Sequence, residues 1–235
     1  MKSRSWKRAA TPAGAALLAI VGATGALAQE PKVEVPQPMV PEVFTLEGEF
    51  VRVAYNNEGY ATLGYRLANA SVGEEWMLLE VGVTLRRGVD KQKLARGAFT
   101  LDTPGPVGIQ LATQEEFAQA NLQALDMRLK MITRDSIDYF PPDAREPCRL
   151  GFFTDMGTQR GLTHDVMELS PQTRCIGRIY FRVPDGIQHG QHFLNVKFAK
   201  SLVRVPFRIL TEEEEKLLRG KWKDIKKEHE KTFRN

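Results

Sequence analysis

Residues 76–86 read Trp76-Met77-Leu78-Leu79-Glu80-Val81-Gly82-Val83-Thr84-Leu85-Arg86. Met77, Leu79, Val81, Val83 and Leu85 recur at period two, with Glu80, Thr84 and Arg86 on the opposite side. That alternation is the pattern of a strand with one face in a core, and Arg87-Gly88-Val89-Asp90 supplies the turn that ends it.

The same grammar extends in both directions. Upstream, Val51, Val53 and Tyr55 alternate with Arg52 and Ala54. A turn at Asn56-Asn57-Glu58-Gly59 follows, and then Leu63, Tyr65 and Leu67 alternate with Gly64 and Arg66, which predicts a β-hairpin. Downstream, short strands are expected at 98–101 and 107–111, separated by Thr103-Pro104-Gly105-Pro106, and again at 150–154. Cys175, Gly177, Ile179, Phe181 and Val183 are expected inward, with Arg178, Tyr180 and Arg182 outward. Leu194, Val196 and Phe198 share one face, as do Val203, Val205, Phe207 and Ile209. Pro206 faces away and marks an edge strand, because proline cannot donate to a neighbour.

Two segments break the pattern. Thr113-Gln114-Glu115-Glu116 is a capping box, followed by Phe117, Ala120, Ala124 and Met127 at helical spacing; the pattern blurs through residues 130–138 and stops at Pro141-Pro142. Thr211-Glu212-Glu213-Glu214 opens a second helix, with four glutamates in the turn where the helix dipole favours negative charge. The expectation is a mostly β fold, an antiparallel immunoglobulin-like β-sandwich over 45–210. It carries an inserted helical segment near 113–140 and a C-terminal amphipathic helix over 211–235.

Residues 1–28 have the composition of an export signal. Lys2, Arg4, Lys7 and Arg8 precede an apolar run from Ala13 to Ala28, and Ala26-Leu27-Ala28 matches the A-x-A cleavage pattern. The run is broken by Gly14, Gly22 and Gly25 and is shorter than the ~20 residues of a spanning helix. The reading is therefore a cleaved signal peptide, with cleavage after Ala28 and delivery to the periplasm or the exterior. A proline-rich linker over 29–44 (Pro31, Pro36, Pro38, Pro41) follows. The whole chain has 33 basic and 29 acidic residues. Without the four basic residues of the signal the two signs balance at 29 each. That balance removes the compositional case for nucleic-acid binding. In an oxidising compartment the two cysteines, Cys148 and Cys175, are expected to form one disulfide. The alternative of a redox pair lacks a C-x-x-C to lower a thiol pKa.

On the C-terminal helix Leu218, Trp222, Ile225, His229 and Phe233 form one stripe. Two readings stay open: the stripe docks on the sandwich, or it projects to a protein partner in the cell envelope or to an anionic membrane surface. Leu218, Trp222, Ile225 and Phe233 are the candidate contact residues.

Residues that could carry chemistry are few. Ser71, Ser136, Ser170 and Ser201 lie outside any G-x-S-x-G elbow. The metal candidates are His189 and His192, with His164 or Asp165 as a third ligand; the alternative is a polar turn between strands. Glu74-Glu75 and Asp135/Asp138 read as solvated carboxylates, and no glycine-rich phosphate loop is present. Tyr139-Phe140-Pro141-Pro142 reads as a cover for the core edge in preference to an exposed recognition loop. No catalytic residue and no cofactor is expected.

The wording of 76–86, together with Gly177-Arg178-Ile179-Tyr180-Phe181-Arg182-Val183-Pro184, resembles bacterial exported immunoglobulin-like domains of unknown function. The resemblance covers about half of the chain after residue 28 and implies a fold and an extracytoplasmic setting. The chain departs from that pattern in the 113–140 insertion and in lacking an anchoring cysteine. The function expected is non-catalytic binding or envelope assembly, through a sandwich edge or the C-terminal helix. The alternatives are a metal-dependent module centred on His189 and His192, or a purely structural accessory domain.

Overall fold

The computed structural model describes residues 43–156 and 162–232, with side chains described for 48–156 and 162–223. All of them belong to the compact unit Gln37–Asn235. The expected signal 1–28, nearly all of the linker 29–44 and Phe233 lie outside the described residues, as do the side chains of Ile225 and His229.

The strands are β1 (Val43–Gly48), β2 (Val51–Tyr55), β3 (Gly59–Gly64), β4 (Trp76–Leu85), β5 (Gln92–Ala95) and β6 (Phe99–Asp102). They continue with β7 (Ile109–Gln110), β8 (Glu146–Arg149), β9 (Val166–Leu169), β10 (Thr173–Arg182), β11 (Gly190–Lys197) and β12 (Leu202–Ile209). The helices are α1 (Arg66–Asn69), α2 (Gln114–Gln119), α3 (Gln123–Met131) and α4 (Glu212–Thr232). The protein is mostly β. A six-stranded open sheet has the order β1-β2-β3-β4-β10-β8, a four-stranded one β12-β11-β6-β7, and β5 pairs with β9. All pairings are antiparallel except β8 with β10.

One contiguous apolar core takes residues from both larger sheets. Met77, Leu79, Val81, Val83 and Leu85 are at most 1% exposed, and so are Val203, Val205, Phe207 and Ile209 of β12. β12 is an edge strand, as Pro206 requires. The two sheets are also joined by a polar knot. Asn56 Oδ1 accepts from the Glu58 and Gly59 amides, both at 2.9 Å, which closes the β2–β3 turn. The Glu58 carboxylate then accepts from the Lys200 amide at 3.0 Å and from Ser201 Oγ at 2.6 Å, on the β11–β12 turn.

Several expectations need correction. β3 ends at Gly64, and Tyr65 and Leu67 turn into α1, both buried. The Tyr65 ring lies 5.4 Å from Phe50 and 5.2 Å from Phe207, so aromatic packing wins over continued alternation. The strand placed at 150–154 is instead β8, a few residues earlier, because the disulfide and a parallel pairing hold 146–149 against β10. The 113–140 helix is two short helices followed by an irregular run that crosses the sheet.

That crossing run covers the second face of β4, the side expected to be polar. Gly82 lets it approach: a Cβ there would lie 2.5 Å from the Phe140 ring and 2.4 Å from Thr62 Oγ1. The Tyr139–Pro142 segment thus covers the sheet through Phe140. Gly177 of β10 is similarly tight, since a Cβ would meet Leu150 O at 2.5 Å and Leu150 Cβ at 2.7 Å. Backbone cannot yield as a flexible side chain does. Gly177→Ala is expected to destabilise the protein by about 2 kcal/mol in urea unfolding, the range of overpacking changes.

Candidate functional site

The disulfide sets the frame. Cys148 and Cys175 are directly opposite in the β8–β10 register and bonded, with Cα atoms 4.2 Å apart. β8 has only four residues, one of them Pro147, so the bridge fixes an edge that hydrogen bonding alone holds weakly.

Beside it a cleft of about 650 Å³ lies on the covered face of β4 and β10. The two strands supply Glu80 and Arg178, which are direct register partners. The run after α3 supplies Arg134 and Ile137, and the run after β8 supplies Leu150 and Phe153. Arg128 on α3 anchors the first of these runs through Ser71 Oγ at 2.9 Å and Glu74 at 3.1 Å. Arg66 anchors it again, gripping Asp135 through both oxygens at 2.9 and 3.0 Å. Such two-point contacts fix orientation as well as distance.

Tyr180 forms an inner wall. Its ring packs 4.6 Å from Phe117 and 4.9 Å from Phe153, themselves 5.0 Å apart. Alternation placed Tyr180 outward; α2 brings Phe117 over it and leaves it 1% exposed. Its hydroxyl is buried with no hydrogen-bond partner among the described residues, and burial raises its pKa. The charges that act on it include Arg178, Glu80 and Asp155, all of which line the cleft.

The structure disperses the histidines. His189 and His164 are exposed, whereas His192 is 0% exposed and packs 5.3 Å from the Phe207 ring. Its Nδ1 donates to Gly190 O at 3.0 Å, since a carbonyl can only accept, and Nε2 is buried with no hydrogen-bond partner among the described residues. Among the described residues no group of three or more His, Cys, Asp or Glu could hold a metal. Burial holds the His192 imidazole below the ordinary 6.5. The unfolded chain therefore binds a proton that the folded state refuses. The stability contributed by neutral His192 is complete above about pH 6.5 and falls as pH drops toward the lower folded pKa. His192→Leu is expected to flatten that slope in unfolding measurements between pH 7.5 and 5.0.

The C-terminal helix is clamped at its start. Asn69 Oδ1 accepts from Leu210 N at 2.6 Å, Thr211 and Glu214 form the expected capping box, and Arg208 holds Glu214 at 2.7 Å. Leu218 and Trp222 are half-buried, and Trp222 lines a second cavity with Glu49, Arg66 and Tyr139. As far as Trp222 the stripe faces the body of the protein. Among the described residues no helix is long and apolar enough to cross a membrane.

Comparison with protein-family models, curated proteins and solved structures finds no match to this chain.

Proposed function

We propose that this chain is an exported, non-catalytic binding protein whose ligand site is the cleft over β4 and β10. The observation that carries the reading is the cleft itself: an open cavity with an apolar floor and converging guanidinium and carboxylate groups, on strands fixed by a disulfide. A cavity of that size and mixed lining is typical of small-molecule sites. Export is supported by the pattern of residues 1–28 and by the bridge, which forms in oxidising compartments. The continuous core between the two larger sheets supports an immunoglobulin-like sandwich, with a parallel edge strand as this chain's variation.

Native mass spectrometry of the full chain, recovered from the periplasm or medium and exposed to a small-molecule extract of the same fraction, tests this. The expected species begins at Gln29 and carries a non-covalent adduct that Thr154→Trp, at the cleft rim, does not. Retention in the cytoplasm with residues 1–28 attached would overturn export, and absence of any adduct would overturn ligand binding.

A second reading, envelope assembly through α4, draws on the clamped helix start and on Leu217, 67% exposed on its outer side. Deleting 211–235 is then expected to abolish capture of an envelope protein partner or sedimentation with anionic liposomes.

A further inference from the structure

The charges around the cleft are unevenly paired. Glu80, 18% exposed at its side chain, is shared by two guanidiniums, Arg134 at 2.8 Å and Arg178 at 3.6 Å. The first contact is a charge-assisted hydrogen bond. The second is an ion pair too long for one, and Arg178 donates no hydrogen bond to any described residue. Two cations on one carboxylate leave an excess positive charge at this edge. The lining as a whole carries three arginines and three carboxylates, but the other two carboxylates are held by other arginines. Arg149 and Asp155 pair at 3.0 Å and are more than half exposed, so solvent screens them. Asp135 is gripped by Arg66, which also holds Glu49 at 3.0 Å in the adjoining cavity beside Trp222, a cavity that shares Asp135 and Ser136 with the cleft.

Against this cationic edge lies an apolar floor of Ile137, Leu150, Phe153 and Ile176. Guanidinium forks take carboxylate, sulfonate or phosphate oxygens in pairs, whereas the floor favours groups that leave water. We infer that the cleft binds a small organic anion with an apolar body. The anionic head is held by the guanidinium N–H groups of Arg178 and Arg134 that Glu80 leaves free, so Glu80 keeps its counter-charge, and the body lies on Ile137, Leu150 and Ile176. This inference rests on the cleft being the ligand site.

Two probes with one skeleton separate the two claims. 8-Anilinonaphthalene-1-sulfonate is anionic, N-phenyl-1-naphthylamine is its uncharged counterpart, and both brighten on leaving water. With the folded chain, the sulfonate is expected to bind one per molecule and about tenfold tighter than the amine, the scale of one charge-assisted contact. Arg178→Gln and Arg134→Gln are each expected to weaken the sulfonate about fivefold and to leave the amine unchanged. Both arginines are partly exposed, and circular dichroism checks that the variants fold. Equal affinity for the two probes, or sulfonate binding unchanged in both glutamine variants, would overturn the anion class. The cleft would still stand as a ligand site if Thr154→Trp abolished binding of either probe. If Thr154→Trp changes neither probe, or if neither binds at all, the cleft assignment itself falls.

Discussion

With Cys148 and Cys175 both changed to alanine, the protein is expected to lose about 3–4 kcal/mol of unfolding free energy, the chain-entropy estimate for a loop of this length. The two residues are 27 apart in sequence, so the open form regains the freedom of a medium-sized loop. The loss is also expected to be local. β8 has four residues, lies at the sheet edge and among the described residues pairs with β10 alone, in the parallel arrangement that is slightly weaker per residue. Without the bridge it should be the first segment to detach. Urea unfolding gives the global figure, and limited proteolysis should show new cleavage near residues 146–150. Because Arg149 and Leu150 line the cleft, sulfonate binding should weaken in step.

Arg96→Met is expected to cost about 3 kcal/mol, a melting-temperature drop of roughly 6–12 °C for a domain of this size. The Arg96 side chain is 14% exposed. Its guanidinium donates to Phe152 O at 2.6 Å and to Ala112 O, lies 3.7 Å from Asp165 and sits 4.5 Å from the centre of the Phe153 ring. Burial lowers its pKa, with Asp165 acting in the opposite direction. One side chain thus ties together the entry to α2, the run after β8 and the approach to β9. Methionine keeps most of the volume but none of the donors. Phe152 O would keep its bond from Gln114 at 2.6 Å, while Ala112 O would lose the guanidinium. Arg96→Lys should recover less than half of the loss, since a single ammonium cannot span two carbonyls as a planar fork does. Thermal unfolding followed by circular dichroism measures both variants.

The sequence carried the strands well where one face alone is buried. In β12 the alternation of Val203, Val205, Phe207 and Ile209 with outward residues is read without tertiary information, and Pro206 even names the edge. Both capping boxes form as spaced. β4 was legible as a strand, but only half of it as an environment. Period two assigns Glu80 and Thr84 to a polar face without saying whether another part of the chain will lie over them. Thr84 is fully buried, donating to Thr173 O at 2.6 Å, and Tyr180 disappears beneath Phe117. The cleft was illegible for the same reason. Glu80, Arg134, Arg149 and Arg178 come from four separate stretches, and each alone reads as an ordinary solvated charge. His192 misled in the opposite sense. Three residues from His189, it looks like half of a metal clamp. Strand alternation turns it into the core while its neighbour remains in the turn.

The pairing of β4 with β10 has a consequence for how the molecule comes into being. β1 to β4 can zip together as a local meander, but the other side of β4 must wait for residues 173–182, nearly a hundred positions further along. Until then β4 presents an unpaired and strongly apolar edge. High contact order slows this closure, and a naked strand edge of that kind is a template for pairing between chains. An N-to-C emerging chain passes through that vulnerable interval every time it is made. The bridged edge strand β8, which pairs with β10, can act only after that closure, sealing a structure whose most hazardous surface was its own centre.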